Sequence, residues 1–350
     1  MKVLHIESGL GNQMLGYAEY LALKKANPND DFYIETITYD IPECNEMISQ
    51  WNGYELERIF GIIEPKNVRV LFSDSQWDKV IEEVRKSEFW KRNWNYPVHI
   101  SQALNNAGLH LKNIRGDFEA PGYEAMTEDR VTRNIRYKFI HSCIGYHLKR
   151  VLEKYRSNNR AAKQGQNLFI QTSESIFTGQ RLSFKLKDFG RERIDDEIRA
   201  VFQFPEFEDE NNLQMSAFLK EVNGVAIHAR RGDMLSVNGD CYKYGYFKRA
   251  IRIIRKHVPN PVFVFFTNTG SIEWCKENYK IFGLDQEKDK IKFVDWNIGA
   301  NSFRDMQLMS YCKHAVITNS SFGWWGAYFI ANPNKITISP WQNMDTTHHC

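Results

Sequence analysis

The stretch that decides the fold is Gly224-Val225-Ala226-Ile227-His228-Ala229-Arg230-Arg231-Gly232-Asp233. Its small and apolar beginning predicts a strand buried on both faces, as in a parallel sheet. Its end is of another kind: a histidine, two adjacent arginines, a glycine and an aspartate. Arg230 and Arg231 carry permanent charge on planar forks of donors, a shape that matches phosphate oxygens. Gly232 lets the backbone turn sharply beside whatever those arginines hold. Ligands of open α/β sheets bind beyond the carboxyl ends of the strands, which is where this cluster belongs. Two readings follow: a diphosphate clamp, or an arginine pair engaged in structural ion pairs at a strand end.

Downstream, the chain alternates regularly. A helix is expected at Tyr246–His257, a break at Pro259 and Pro261, and a strand at Val262–Phe266. A helix near Ile272–Tyr279, a strand at Ile291–Asp295, a helix at Phe303–Cys312 and a strand at Ala315–Thr318 follow. A helix at Phe322–Ile330 and a strand at Ile336–Ser339 close the series. Strands separated by helices imply βαβ units and a parallel sheet. Upstream, residues 2–6 predict a first strand and Gly9–Gln13 a glycine loop. A helix on Met14, Tyr17, Ala18, Leu21 and Ala22 ends near Asn27-Pro28, and Phe32–Thr36 makes a second strand. The fold class is therefore α/β, in two domains. They are expected at 1–215, carrying a helical insert at about 125–165, and at 216–341, with a tail at 342–350. The boundary is placed just after the acidic stretch Glu206–Asn212.

The opening β–loop–α–β invites a dinucleotide reading, and its details argue against one. Met14 stands where the third glycine belongs, Asn12 and Gln13 put amides where bare backbone is wanted, and Glu35 alone is left as a ribose acid. No nicotinamide or flavin cofactor is expected. The rings between 43 and 125, among them Trp51, Tyr54, Trp77, Phe89, Trp90 and Trp94, stack on sugars or fill a core, and core is the ordinary fate.

The 350 residues carry 46 basic and 43 acidic side chains, net +3, which gives no call for a nucleic-acid partner. The longest apolar run, Trp324–Ala331, is far short of a bilayer span, and the first residues look like a strand and not a signal peptide. Six cysteines without Cys-x-x-Cys spacing suggest reduced thiols in a cytoplasmic protein. One stretch, 130–163, sets ten cationic residues against Glu153 alone. It is either a solvated helical face or a surface meeting anionic lipid or a diphosphate-linked acceptor at the inner membrane face.

A second half of the site lies in Asn319-Ser320-Ser321-Phe322-Gly323-Trp324-Trp325-Gly326, at a strand-to-helix junction. Backbone N–H groups at a helix start aim positive charge outward and hold phosphate, with Ser320 and Ser321 adding hydroxyls. A serine there also serves as a helix cap, a role compatible with the first. Asp305, near the start of the preceding helix, presents a carboxylate able to accept two N–H bonds from a guanine edge, or simply one favoured by the helix dipole. No Asp-x-Asp occurs in the chain, so neutralisation of a diphosphate is assigned to arginine, and no metal is expected.

Taken together, these blocks resemble glycosyltransferase family 11, the α-1,2-fucosyltransferases. Gly9-Leu10-Gly11-Asn12-Gln13-Met14 is similar to the family's N-terminal loop, and His228-Ala229-Arg230-Arg231-Gly232-Asp233 to its His-x-Arg-Arg-Gly-Asp motif. Tyr244–Ile251, Ile272–Asn278, Asn301–Ser310 and Asn319–Ala327 follow the later blocks. The resemblance implies a GT-B-like architecture, two Rossmann-like domains facing a cleft. It implies GDP-β-L-fucose as donor substrate, inversion at the anomeric carbon, no metal and no further cofactor. It implies Arg230 at the β-phosphate, with His228 and Arg231 beside the nucleotide, Asp305 reading guanine, and Ser320, Ser321 and Phe322 holding the diphosphate. Gly11 and Asn12 would line the cleft near the transferred sugar. Asp233 is a candidate base, and equally a partner for an arginine. The acceptor implied is a galactose-terminated glycan, free or lipid-linked, in surface-glycan synthesis. Met234 stands where the family has tyrosine, a departure that bears on contacts beside the nucleotide, and Gly116–Pro121 matches its central segment weakly, which leaves the acceptor open. The alternatives are transfer from another GDP-sugar, or a GDP-sugar-binding protein without catalysis.

Overall fold

The computed structural model describes residues 1–47, 52–91, 96–113, 148, 151–152, 175–178 and 194–340. Most of the basic stretch 130–163, the segment Gly116–Pro121, Trp51, Trp94 and the tail 342–350 lie outside the described residues. The chain divides between Val201 and Phe202 into two compact units, and Gly9–Asn12 and Arg58–Phe60 group with the second.

The first unit is built on β1 (Lys2–His5), β2 (Phe32–Glu35), β3 (Lys112–Asn113) and β4 (Ile176–Thr178). They form a parallel sheet in the order β2-β1-β4-β3. α1 (Leu10–Ala26) makes the crossover from β1 to β2. It begins at Leu10, so Gly11, Asn12 and Gln13 form its first turn and not the glycine loop expected at Gly9–Gln13. Side-chain bonds fix this turn in place. The fully buried Gln13 amide donates to the carbonyls of Ser8 (2.9 Å) and Gly53 (2.8 Å) and accepts from the Glu55 N–H (2.8 Å). Glu35, weighed above as a ribose acid, is fully buried. It pairs with His5 and accepts from the Ile37 N–H at 3.0 Å, which commits it to the interior.

Two helices that the ring-rich stretch conceals pack beside this sheet. α2 (Asp74–Lys86) opens on a capping box between Ser73 and Gln76 and buries Trp77, Val80 and Val84 at helical spacing. α3 (Tyr96–Asn106) contributes Ile100, Ala103 and Leu104 to the same core, which also takes Val3, Phe89, Trp90 and Phe177. Trp77, Phe89 and Trp90 are thus core residues.

The second unit carries β5 (Asn223–Ala229), β6 (Pro261–Thr267), β7 (Lys290–Phe293), β8 (His314–Ile317) and β9 (Thr337–Ile338), all parallel, in the order β7-β6-β5-β8-β9. Its longer helices are α4 (Glu210–Glu221), α5 (Leu235–Lys243), α6 (Tyr246–His257), α7 (Ile272–Glu277), α8 (Phe303–Tyr311) and α9 (Ser321–Phe329), with a single further turn at Tyr279–Phe282. β5 is central, and its side chains alternate between two cores. Val225, Ile227 and Ala229 meet Phe247, Ile251 and Ile254 of α6, while Ala226 shares the opposite core with Leu308 and Met309 of α8 and Ala327 of α9. Burial on both faces is why its sequence is continuously small and apolar. The expected strands and helices after Gly224 are all present, within a residue or two of their predicted ends. α5, which has Gly239 at its middle and no apolar period, and the short helix Tyr279–Phe282 are elements that reading missed.

Candidate active site at a strand-order switch

From β5 the chain moves outward to β6 and β7, then crosses back to β8 and outward again to β9. The order therefore reverses between β5 and β8, and in open α/β sheets ligands bind beyond the carboxyl ends of the strands at such a point. The first arm of the predicted site, Arg230–Asp233, leaves β5 there, and the second, Asn319–Phe322, leaves β8. α8 runs back from the carboxyl edge of the sheet to start β8, so its first turn, with Asp305, is at that edge too. Topology thus gathers three sequence-distant segments along one rim.

The arms are held to each other atom by atom. The Arg230 N–H donates to Thr318 Oγ1 at 3.1 Å, and the Thr318 hydroxyl donates to the His228 carbonyl at 3.2 Å. The Arg230 carbonyl accepts from the Tyr242 hydroxyl at 2.9 Å and from Asn238 Nδ2 at 3.3 Å. The two arginines have different settings. Arg230 is half-buried at the strand end. The Arg231 guanidinium lies 3.3 Å over the centre of the Trp274 ring and 4.9 Å from that of Tyr242, while the backbone N–H of Arg231 donates to Asn268 Oδ1 at 2.9 Å. Cation–π stacking of this kind holds a cation on a defined face. Gly232 has φ +57°, the sharp turn its position called for, and Asp233 follows in a single 3₁₀ turn.

His228 is buried, and its ring stacks on Phe322 with centroids 5.8 Å apart. Burial, with the charge of Arg230 adding, pushes the imidazole down to about 3, so it is neutral at physiological pH. Its Nδ1 has no hydrogen-bond partner and packs against Gly323, where an added Cβ would come within 2.4 Å of it.

At the start of α9, Ser320 occupies the N-cap position with extended backbone, and its side chain makes no capping bond. The hydroxyl is therefore not spent on the helix. Gly11, which belongs to the same unit, lies against this start. A Cβ on it would stand 2.6 Å from the Phe322 nitrogen and 2.8 Å from Ser321 Oγ. Its carbonyl accepts from Trp325 Nε1 at 2.9 Å. Asn12, half-buried, is next along the same turn. Asp305 is buried and accepts from Asn297 Nδ2 at 2.8 Å. Burial pushes its carboxyl up to about 8, with Asp295 adding and Asn297 opposing. Asn297 and Asn212 exchange amide bonds at 2.8 and 3.0 Å, so the partner of Asp305 is itself fixed.

Sequence reasoning missed Thr318, Asn238, Tyr242, Asn268, Trp274 and Asn297, all of which hold the named residues in place. The one available signal was the i, i+4 spacing of Asn238 and Tyr242, legible only once α5 is known to be a helix. Among the described residues no three His, Cys, Asp or Glu side chains gather as a metal site, and no helix is long and apolar enough to cross a membrane. Cys44, Cys275 and Cys312 are buried free thiols.

The family model described as glycosyl transferase family 11 matches residues 135–349. An α-1,2-colitosyltransferase of Escherichia coli is 37% identical over 135 residues, which is 36% of this chain and 43% of that protein. The galactoside α-(1,2)-fucosyltransferase 2 of Oryctolagus cuniculus is 31% identical over 149 residues, 39% of this chain and 40% of that protein. The chain thus matches less than half the length of these curated relatives. Among solved structures, the fucosyltransferase NodZ from Bradyrhizobium is similar at 11% identity and a TM-score of 0.44, over 93% of this chain and 91% of that one.

Proposed function

The chain belongs to glycosyl transferase family 11, and on that premise we propose that it transfers L-fucose from GDP-β-L-fucose to the 2-hydroxyl of a galactoside, with inversion and without a metal. The observation that carries the reading is the switch point between β5 and β8, where Arg230 follows the end of β5 and the start of α9, without a Ser320 capping bond, follows β8. Arg230 neutralises the β-phosphate, and the N–H groups at Ser321 and Phe322, with the hydroxyls of Ser320 and Ser321, hold the rest of the diphosphate. Asp305 accepts from the guanine edge. As the fucosyl–phosphate bond stretches, negative charge grows on the leaving oxygen while the sugar becomes oxocarbenium-like. A fixed cation stabilises that state more than the ground state. Asn12 orients the attacking hydroxyl, and Asp233 is the candidate for its base. Arg231, stacked on Trp274, keeps the second positive charge beside the site and fixes the turn that carries Arg230.

The test is incubation with GDP-fucose and a panel of galactose-terminated acceptors, with linkage analysis of the product. The expected product is α-1,2-fucosylated, formed equally well with chelator present. Arg230→Ala should lower turnover about 10²–10³-fold, the loss typical of one preorganised donor, and Arg230→Lys should recover little of it because a point charge lacks the fork. Activity abolished by chelator and restored by manganese would overturn the metal-free reading. The colitosyltransferase relative supports a second reading, transfer of a different sugar from a GDP-linked donor. Competition between GDP-fucose and GDP-mannose, read by calorimetry, tests donor choice.

A further inference from the structure

We propose that Asn238 is a positioning residue that locks the arginine arm to the helix-start arm. This inference rests on the reading of the switch point between β5 and β8 as a diphosphate site. Pairing between β5 and β8 runs to His228 opposite Ile317, and its last bond is Thr318 N–H to the His228 carbonyl at 3.2 Å. Beyond it the strands part, and their backbone groups lose ladder partners while still buried, a costly situation unless other groups pair with them.

The side chain of Asn238, fully buried on α5, fills that split. Its Nδ2 donates to the carbonyls of Arg230 and Asn319, each at 3.3 Å, and its Oδ1 accepts from the Asn319 N–H at 3.0 Å. One amide thus continues the hydrogen-bond ladder for a further step between two diverging loops. Only an amide can do this, because the task needs two donors and an acceptor on one short planar group. One helical turn on, Tyr242 supplies the second bond to the same Arg230 carbonyl at 2.9 Å. Both residues act on backbone, so neither needs to touch a substrate. Their effect is to fix the distance between the Arg230 guanidinium and the first N–H groups of α9, on which simultaneous contact with a diphosphate depends.

A double-mutant cycle on GDP affinity, read by calorimetry on the full chain, tests this. Arg230→Ala and Asn238→Ala should each weaken GDP binding about tenfold or more, and the double variant should be scarcely weaker than Arg230→Ala alone, because Asn238 acts through the arm that Arg230 ends. Losses that simply add would overturn the positioning role, since a residue that only stabilises the fold does not couple to one side chain. Asn238→Asp keeps the acceptor and loses both donations, and it should behave like the alanine variant. If Asn238→Ala does not fold, Tyr242→Phe carries the same cycle, with a smaller coupling expected and additivity again decisive against the idea. A wild-type chain that does not bind GDP, or an Arg230→Ala variant that binds it undiminished, would sink the diphosphate reading and this inference with it. Additivity beside a weakened Arg230→Ala variant would sink the inference alone.

Discussion

Burial holds the Asp305 carboxyl up to about 8, so at neutral pH most of it keeps its proton. A protonated carboxyl cannot accept two N–H bonds from guanine, so binding at pH 7 must release that proton. GDP affinity should therefore rise with pH, by at most about tenfold per unit, and level off above about 8. Calorimetry in buffers of different ionisation enthalpy should register the released proton, and Asp305→Asn should remove the pH slope along with much of the affinity. A flat profile in the wild type would exclude Asp305 as the base reader. The sign for stability is opposite. The folded-state value lies above the unfolded one of 3.8, so the native state binds more protons between them. This contribution is complete at pH below 4 and is lost as pH climbs towards 8. Asp305→Asn should gain in melting temperature relative to wild type over that same window.

Among the elements, the start of α9 decides most. Its first residues meet Gly11 from one side, where no Cβ fits, and its third residue is a glycine because the His228 ring occupies that space. Gly11→Val would force backbone against backbone at Phe322, where no flexible side chain can yield, while Gly9, with nothing near its missing Cβ, accepts alanine. The expected outcome is lower thermal stability and weakened GDP binding for Gly11→Val, with Gly9→Ala close to wild type in both. Gly11→Val binding GDP as the wild type does would show that the glycine turn plays no part in shaping the helix start. The helix itself was legible in the sequence as an apolar run after a polar junction, as was its neighbour strand β8. Its lack of a serine cap was not legible, because capping is a matter of side-chain direction and the sequence offers two serines equally suited to it.

At the scale of the whole molecule, the basic stretch 130–163 motivates a further expectation. If it meets anionic lipid, the chain should sediment with vesicles rich in acidic phospholipid at low salt and be released as salt is raised, while neutral vesicles leave it in solution. Release that ignores salt, or equal binding to neutral vesicles, would refute an electrostatic contact. The alternation of strand and helix, the parallel sheet of the second unit, the charge at its strand ends and the family resemblance were all determined by the sequence alone, because they depend on periodicity and residue type within short windows. Only the tertiary structure decided that Gly11, Asn12 and Gln13 form a helical turn, that Arg231 lies on Trp274, that Glu35 is spent on His5, and that Asn238 spans the parting of β5 and β8. Each of those outcomes turns on a partner tens or hundreds of residues away or on an element with no local signature. Pairing at that separation is fixed by which strands neighbour one another, and strand order is a property of the packed chain.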